Sequence, residues 1–129
     1  MTIHLGVDIL SVDRVGKAIE RTGDSFLRRA FTTREIRECL SSNGTDACFA
    51  GRFAAKESVY KALQSMFDLK PKWKEIEIAT GEGRPKVILS GETAEQALRN
   101  GVEDIDVSIS HDRNCRAAVA VALVKFASK

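Results

Sequence analysis

Several classes of protein are excluded by what this chain lacks. Its three cysteines, Cys39, Cys48 and Cys115, are odd in number, widely spaced and without a CxxC pair. Neither a disulfide framework nor a zinc site is expected from them, and they read as small packing residues. No run approaches the roughly 20 apolar residues of a membrane span. The N-terminus also lacks the basic-then-apolar pattern of a signal peptide, so a cytosolic protein with no membrane partner is expected. An excess of one charge is missing as well: 20 Lys and Arg against 18 Asp and Glu leave a net charge of +2. That is too small to argue for a nucleic-acid partner. There is no usable internal repeat and no low-complexity segment. What is present is 129 residues, 43% of them hydrophobic, enough for one domain around one core.

Residues 2–8 alternate, with Ile3, Leu5 and Val7 on one face and His4, Gly6 and Asp8 on the other, which predicts a half-buried strand ending near Asp8. Gly6 removes a side chain from the Asp8 face and lets another backbone or a ligand come close. Ser11 is placed to cap a helix that ends near Thr22-Gly23. Arg14, Lys17 and Arg21 form a basic row on it, either solvated surface or a docking face for an acidic partner. Phe26, Leu27, Ala30 and Phe31 extend the helical packing. Thr32-Thr33-Arg34-Glu35 has the capping-box form and opens a helix to about Leu40. After a polar loop, Thr45 is expected to cap the long central helix. Pro71 excludes a regular element from 68 to 73, and Trp73 is expected to pack. Residues 75–80 and 85–89 predict a hairpin turning at Gly81-Glu82-Gly83, with Arg84 at its mouth. Ser90 or Gly91 opens a helix closed by Gly101. A second hairpin follows, turning at residues 111–114, and its last strand is apolar enough to be buried on both faces, against helices or another subunit.

The central stretch, residues 49–67, holds the main conflict. Phe49, Phe53, Tyr60, Leu63 and Phe67 form a core-facing stripe, yet Arg52, Lys56, Glu57 and Lys61 are set among them. A carboxylate near a buried face needs a strong partner. Glu57 either pairs with Lys61 one turn on, as surface helices do, or holds a divalent cation while the cations around it meet a phosphorylated ligand. The second reading needs another carboxylate. Asp8 is a candidate, unless it only caps the turn after its strand.

Three stretches settle which reading to pursue: GVDILSVDR at 6–14, GRFAAKESVYKAL at 51–63 and VSISH at 107–111. In this order they resemble the holo-acyl-carrier-protein synthase family of phosphopantetheinyl transferases, with smaller matches at Phe31-Thr32-Thr33-Arg34-Glu35 and Gly83-Arg84-Pro85. The resemblance runs from about Ile3 to Val124. It implies a single α+β domain, a small mainly antiparallel sheet packed against a long central helix, assembling as a homotrimer with sites at subunit boundaries. It implies transfer of 4′-phosphopantetheine from coenzyme A to a serine of an apo acyl carrier protein, releasing adenosine 3′,5′-bisphosphate.

That chemistry needs negative charge neutralised around a diphosphate while the serine oxygen is held in line. By resemblance Asp8 and Glu57 are ligands of Mg²⁺, and Lys61 balances charge on the departing group. Arg52 and Lys56 match motif positions on the coenzyme A side, with Arg84 near the adenosine end. His111 is on the nucleotide side, or else is a turn histidine that only bonds backbone. Arg14, Lys17 and Arg21 become the carrier-protein docking row. Glu57, a metal-bound water and Asp112 stay open as the general base. One departure is that Gln64-Ser65-Met66-Phe67-Asp68 replaces the family's glycine-rich turn and is expected to prolong the helix. A noncatalytic coenzyme A or acidic-protein binding module is the alternative, and retention of both the carboxylates and the lysine argues against it.

Overall fold

The computed structural model describes residues 1–80 and 83–128. Strand β1 (Thr2–Ser11) runs past Asp8 straight into helix α1 (Val12–Thr22). Ser11 Oγ accepts from the Arg14 amide at 3.2 Å, and Gly23, at φ +60°, ends the helix. Helix α2 (Asp24–Ala30) buries Leu27 and Ala30. Helix α3 (Thr33–Leu40) opens on the expected capping box, with Thr32 Oγ1 accepting from the Glu35 amide and Glu35 Oε1 from the Thr32 amide.

Helix α4 (Thr45–Gln64) departs from expectation at both ends. Gly44, not Thr45, holds the capping position, and no side chain caps the helix. At the other end the helix is not prolonged. The Ser65 hydroxyl donates to the Ala62 carbonyl, the chain turns, and Phe67 and Leu69 fold back onto the core. Tyr60 fixes this return by donating its hydroxyl to the Leu69 carbonyl at 2.6 Å. Trp73 packs edge-on against Phe53 and Tyr60.

A short 3₁₀ turn, Trp73–Glu75, takes Glu75 out of the expected strand, leaving β2 (Ile76–Ala79) paired antiparallel with β3 (Lys86–Leu89). Gly81 and Glu82 of the predicted turn lie outside the described residues. Helix α5 (Gly91–Arg99) follows Ser90, but the Ser90 side chain does not cap it. Glu75 does so instead, accepting from both the Thr93 amide and hydroxyl. Strand β4 (Val102–Asp112) then includes His111 and Asp112, so the turn to β5 (Ala117–Phe126) begins two residues later than the sequence pattern implies.

The main sheet is antiparallel in the order β1-β5-β4, and α4 lies across its inner face. Small residues make this crossing close: a Cβ at Gly6 would stand 1.9 Å from the Ser58 carbonyl oxygen. Ala54, Ala55, Val59 and Ala62 face the sheet and β2, while Phe49 and Ala50 face α1 to α3. The helix is therefore enclosed between two layers, so its buried residues extend beyond the one core-facing stripe read from the sequence.

One further expectation is corrected. Cys39 and Cys48 are not separate packing residues; they form a disulfide with a Cα–Cα distance of 5.4 Å. The last turn of α3 and the first of α4 are brought side by side by the short loop between them, and this geometry permits the bond. Cys115 is free and exposed. Within one chain the apolar last strand is buried on one face, which leaves burial of the other to a second subunit, as the sequence reading allows. On the outer face Val121 and Leu123 stand beside exposed Ile3, Leu5, Val7 and Ile9 of β1, with Leu5 65% and Ile9 67% accessible.

Candidate active site

Asp8 lies on the inner face of edge strand β1, opposite Glu57 and Lys61 of α4. Lys61 Nζ donates to Asp8 Oδ1 at 2.9 Å and to the Val7 carbonyl at 3.1 Å. Lys61 thus pairs with Asp8 in place of the local pair with Glu57 that was one of the two readings of this stretch. The bond to Asp8 holds the Lys61 ammonium above its ordinary pKa, although the side chain is half exposed. Burial pushes the Glu57 carboxyl up, and the neighbouring Asp8 carboxylate pushes the same way against the opposing pull of Lys61. Asp8 Oδ2 is buried with no hydrogen-bond partner among the described residues.

A carboxyl whose proton affinity is raised, beside a second carboxylate with an orphaned buried oxygen, forms a site short of positive charge. Hard oxygen donors of this kind fit magnesium, which keeps several waters and takes few protein ligands. Among the described residues no group of three or more His, Cys, Asp or Glu forms a closed metal cage. Asp8 and Glu57 are the residues that would hold the ion. When bound, it neutralises charge on phosphate oxygens.

The second element of the site is a cavity of about 450 Å³ on the other flank of α4, lined by Gly44, Cys48, Arg52, Thr80, Pro85 and His111, among others. His111 Nε2 donates to the Ala47 carbonyl at 2.9 Å, which leaves Nδ1 without a partner among the described residues. A Cβ at Gly51 would stand 2.8 Å from Nε2, so only glycine lets the ring sit this close to the helix. Arg52 borders the cavity with much of its fork committed to Glu38, the Ile78 carbonyl and Thr80. Pro85 lines it, whereas Arg84 turns away to Asp106 and depresses that carboxyl's pKa.

Lys56 is elsewhere. It is 0% accessible, and its ammonium donates to Glu35 at 2.7 Å and to the carbonyls of Trp73 and Ile76. Burial lowers its pKa. With three partners for three protons, Lys56 has no donor left for coenzyme A, and that expectation is withdrawn. Asp112 is similarly committed: its Oδ1 accepts from the Cys115 and Asn114 amides, which lower its pKa and make it the brace of the β4–β5 turn. Arg14, Lys17 and Arg21 all stand exposed on α1.

Comparison with known proteins gives the family. The family profile of the 4′-phosphopantetheinyl transferase superfamily matches residues 4–122. This chain belongs to that superfamily. It is a transferase, and the holo-[acyl-carrier-protein] synthases of Desulforudis audaxviator and Aquifex aeolicus are 40% and 41% identical to it. Those alignments cover 95% and 90% of this chain and 94% of each relative. Among solved structures, the ACPS–CoA complex of Chronobacterium ammoniagenes superposes with a TM-score of 0.84 at 28% identity, over 99% of this chain and 100% of that one. The Helicobacter pylori holo-[acyl-carrier-protein] synthase in complex with coenzyme A superposes at 0.79 with 31% identity, covering 94% and 99%. These superpositions establish the α+β phosphopantetheinyl transferase fold.

Sequence reading missed the buried Glu35–Lys56 pair, because Glu35 was fully accounted for by its capping role. It also missed the disulfide, whose one signal is a pair of cysteines flanking a short helix–helix loop.

Proposed function

We propose that this chain is a holo-[acyl-carrier-protein] synthase, transferring 4′-phosphopantetheine from coenzyme A to a serine of an apo acyl carrier protein with Mg²⁺ as cofactor. The observation that carries this is the carboxylate pair of Asp8 and Glu57, with its orphaned oxygen and the adjoining Lys61. The serine oxygen attacks the β-phosphorus of the coenzyme A diphosphate, and adenosine 3′,5′-bisphosphate leaves. Lys61 supplies a cation beside the reacting phosphate, and the serine proton passes to a carboxylate of the site or to solvent. The His111 cavity takes the nucleotide end, where His111 Nδ1 faces phosphate or base.

Asp8 and His111 stand on opposite edge strands, with Ala120 between Asp8 and Ile109 in register. None of Asp8, Glu57 or Lys61 lines the His111 cavity. A site shared between subunits joins the two halves, and the exposed apolar face of β1 and β5 supports assembly as a homotrimer. Arg14, Lys17 and Arg21 are the face offered to the acidic carrier. We place the protein in the cytoplasm; no described helix is long and apolar enough to cross a membrane.

Incubation of apo-carrier, coenzyme A, Mg²⁺ and this protein is expected to add one phosphopantetheine to the carrier by intact-mass measurement. Carrier left unmodified, across a panel of folded carriers, overturns the reading.

A further inference from the structure

One covalent link touches the nucleotide cavity. Cys48 lines it and is half-buried, whereas its partner Cys39 is completely enclosed. The bond joins the end of α3 to the start of α4, and the loop it closes supplies Ser42 and Gly44 to the cavity wall. The residue before Cys48, Ala47, carries the carbonyl that fixes His111. One turn beyond it, Arg52 bonds Glu38, the neighbour of Cys39. The disulfide thus pins the loop, the His111 anchor and the Arg52 fork in one arrangement. In a reducing compartment such a bond is transient, and disulfides found there are characteristically redox-sensing.

We propose that Cys48 is a thiol–disulfide exchange site through which the redox state of the Cys39–Cys48 pair sets affinity for the nucleotide end of coenzyme A; this rests on that nucleotide occupying the His111 cavity. Because Cys39 is enclosed and Cys48 is half-buried at the cavity wall, attack falls on Cys48. A thiolate of a dithiol reductant attacks it and forms a mixed disulfide as the Cys39–Cys48 bond breaks, and Cys39 leaves as a thiolate that takes up a proton. The reductant's second thiolate then attacks the reductant's own sulfur in the mixed disulfide, expelling Cys48, which is protonated in turn. Two electrons and two protons pass to the cysteines, and the reductant ends as a cyclic disulfide. Reduction releases the 41–44 loop from α4 and loosens one wall of the cavity. Because coupling between two sites is reciprocal, a nucleotide that favours the oxidised cavity also protects the bond, and it covers Cys48 besides.

The test uses adenosine 3′,5′-bisphosphate, which carries no thiol. In the full-length protein, alkylation without reductant is expected to label Cys115 alone. Calorimetry should give a dissociation constant roughly five-fold or more higher after reduction with dithiothreitol, and saturating ligand should slow that reduction by at least a similar factor. Cys115→Ala keeps both responses, and Cys39→Ala/Cys48→Ala loses both while binding as the reduced protein does. Labelling of all three cysteines before reduction sinks the proposal. So do equal affinities of the two redox forms together with a reduction rate indifferent to ligand. If the bisphosphate binds neither form, the assignment of the cavity fails and the redox coupling falls with it; if it binds both equally, only the coupling fails.

Discussion

The Lys61 ammonium holds one oxygen of Asp8, and the other is buried and unpartnered among the described residues. The lysine therefore does two things that substitution separates. It partly neutralises Asp8 in the absence of a cation, and in the proposed reaction its charge stands beside phosphate. Lys61→Met is expected to lower kcat by about 10²–10³-fold, the cost of removing one preorganised stabilising donor. Affinity for a divalent cation should not fall, because an ammonium competing for Asp8 is gone. A loss of cation affinity in Lys61→Met, measured by calorimetry, would show that the lysine organises the carboxylates. The candidate status of Asp8, Glu57 and Lys61 was legible in the sequence because charges stood in an apolar helix pattern and a glycine cleared the strand face opposite. Their pairing was not, since the helix spacing of Glu57 and Lys61 points to a local bond and only the tertiary fold offers Asp8 instead.

At the scale of elements, α4 is fixed by what its buried side chains reach. Lys56 ties it to Glu35 of α3, whose Oε2 accepts from the Ile78 amide of β2, so one ion pair joins three elements. Removing one partner leaves a buried charge uncompensated, and Lys56→Met is expected to destabilise the fold by about 3–5 kcal/mol in urea unfolding. The double variant Glu35→Gln/Lys56→Met should cost much less than the sum of the two single changes. Glu75 illustrates a weaker tie: it caps α5 from outside the helix, and the Thr93 amide followed by the Thr93 hydroxyl holds its pKa down. A carboxyl depressed in the folded state gives stability that is complete above its unfolded pKa and disappears as pH falls through the folded value. Glu75→Gln is therefore expected to cost about 1 kcal/mol at neutral pH, the usual worth of a helix cap. The difference from the parent should vanish in acid; a constant difference down to pH 2 to 3 would contradict the cap. Strands, caps and turns with local chemistry, such as Ser11 and the Thr32–Glu35 box, were readable from sequence. The end of α4 and the Cys39–Cys48 bond were not, because both depend on segments meeting in space.

For the molecule as a whole, the sheet presents two faces of different fate. The inner face holds α4, and the outer face leaves Ile3, Leu5, Val7 and Ile9 uncovered in one chain. A contiguous apolar patch on an edge strand and its neighbour marks an interface. If the chain assembles as the proposed trimer, Leu5→Asp/Ile9→Asp is expected to convert it into monomers by light scattering and to remove activity with it, because the proposed site lets Asp8 and His111 reach one substrate only across subunits. A monomeric variant with full activity would show that each chain carries a complete site. The overall architecture was legible because ordered motifs spanned nearly the entire chain, while the single-sided exposure of β5 was hidden by a uniformly apolar sequence.

Binding of Mn²⁺ as a magnetic stand-in for Mg²⁺ bears most directly on the carboxylate pair. With coenzyme A present, the free-ion resonance signal should disappear to a stoichiometry of one ion per chain in the parent protein, and Asp8→Asn and Glu57→Gln should each leave most of it in solution. Parent-like uptake of the ion by either folded variant would contradict a shared dication held by Asp8 and Glu57.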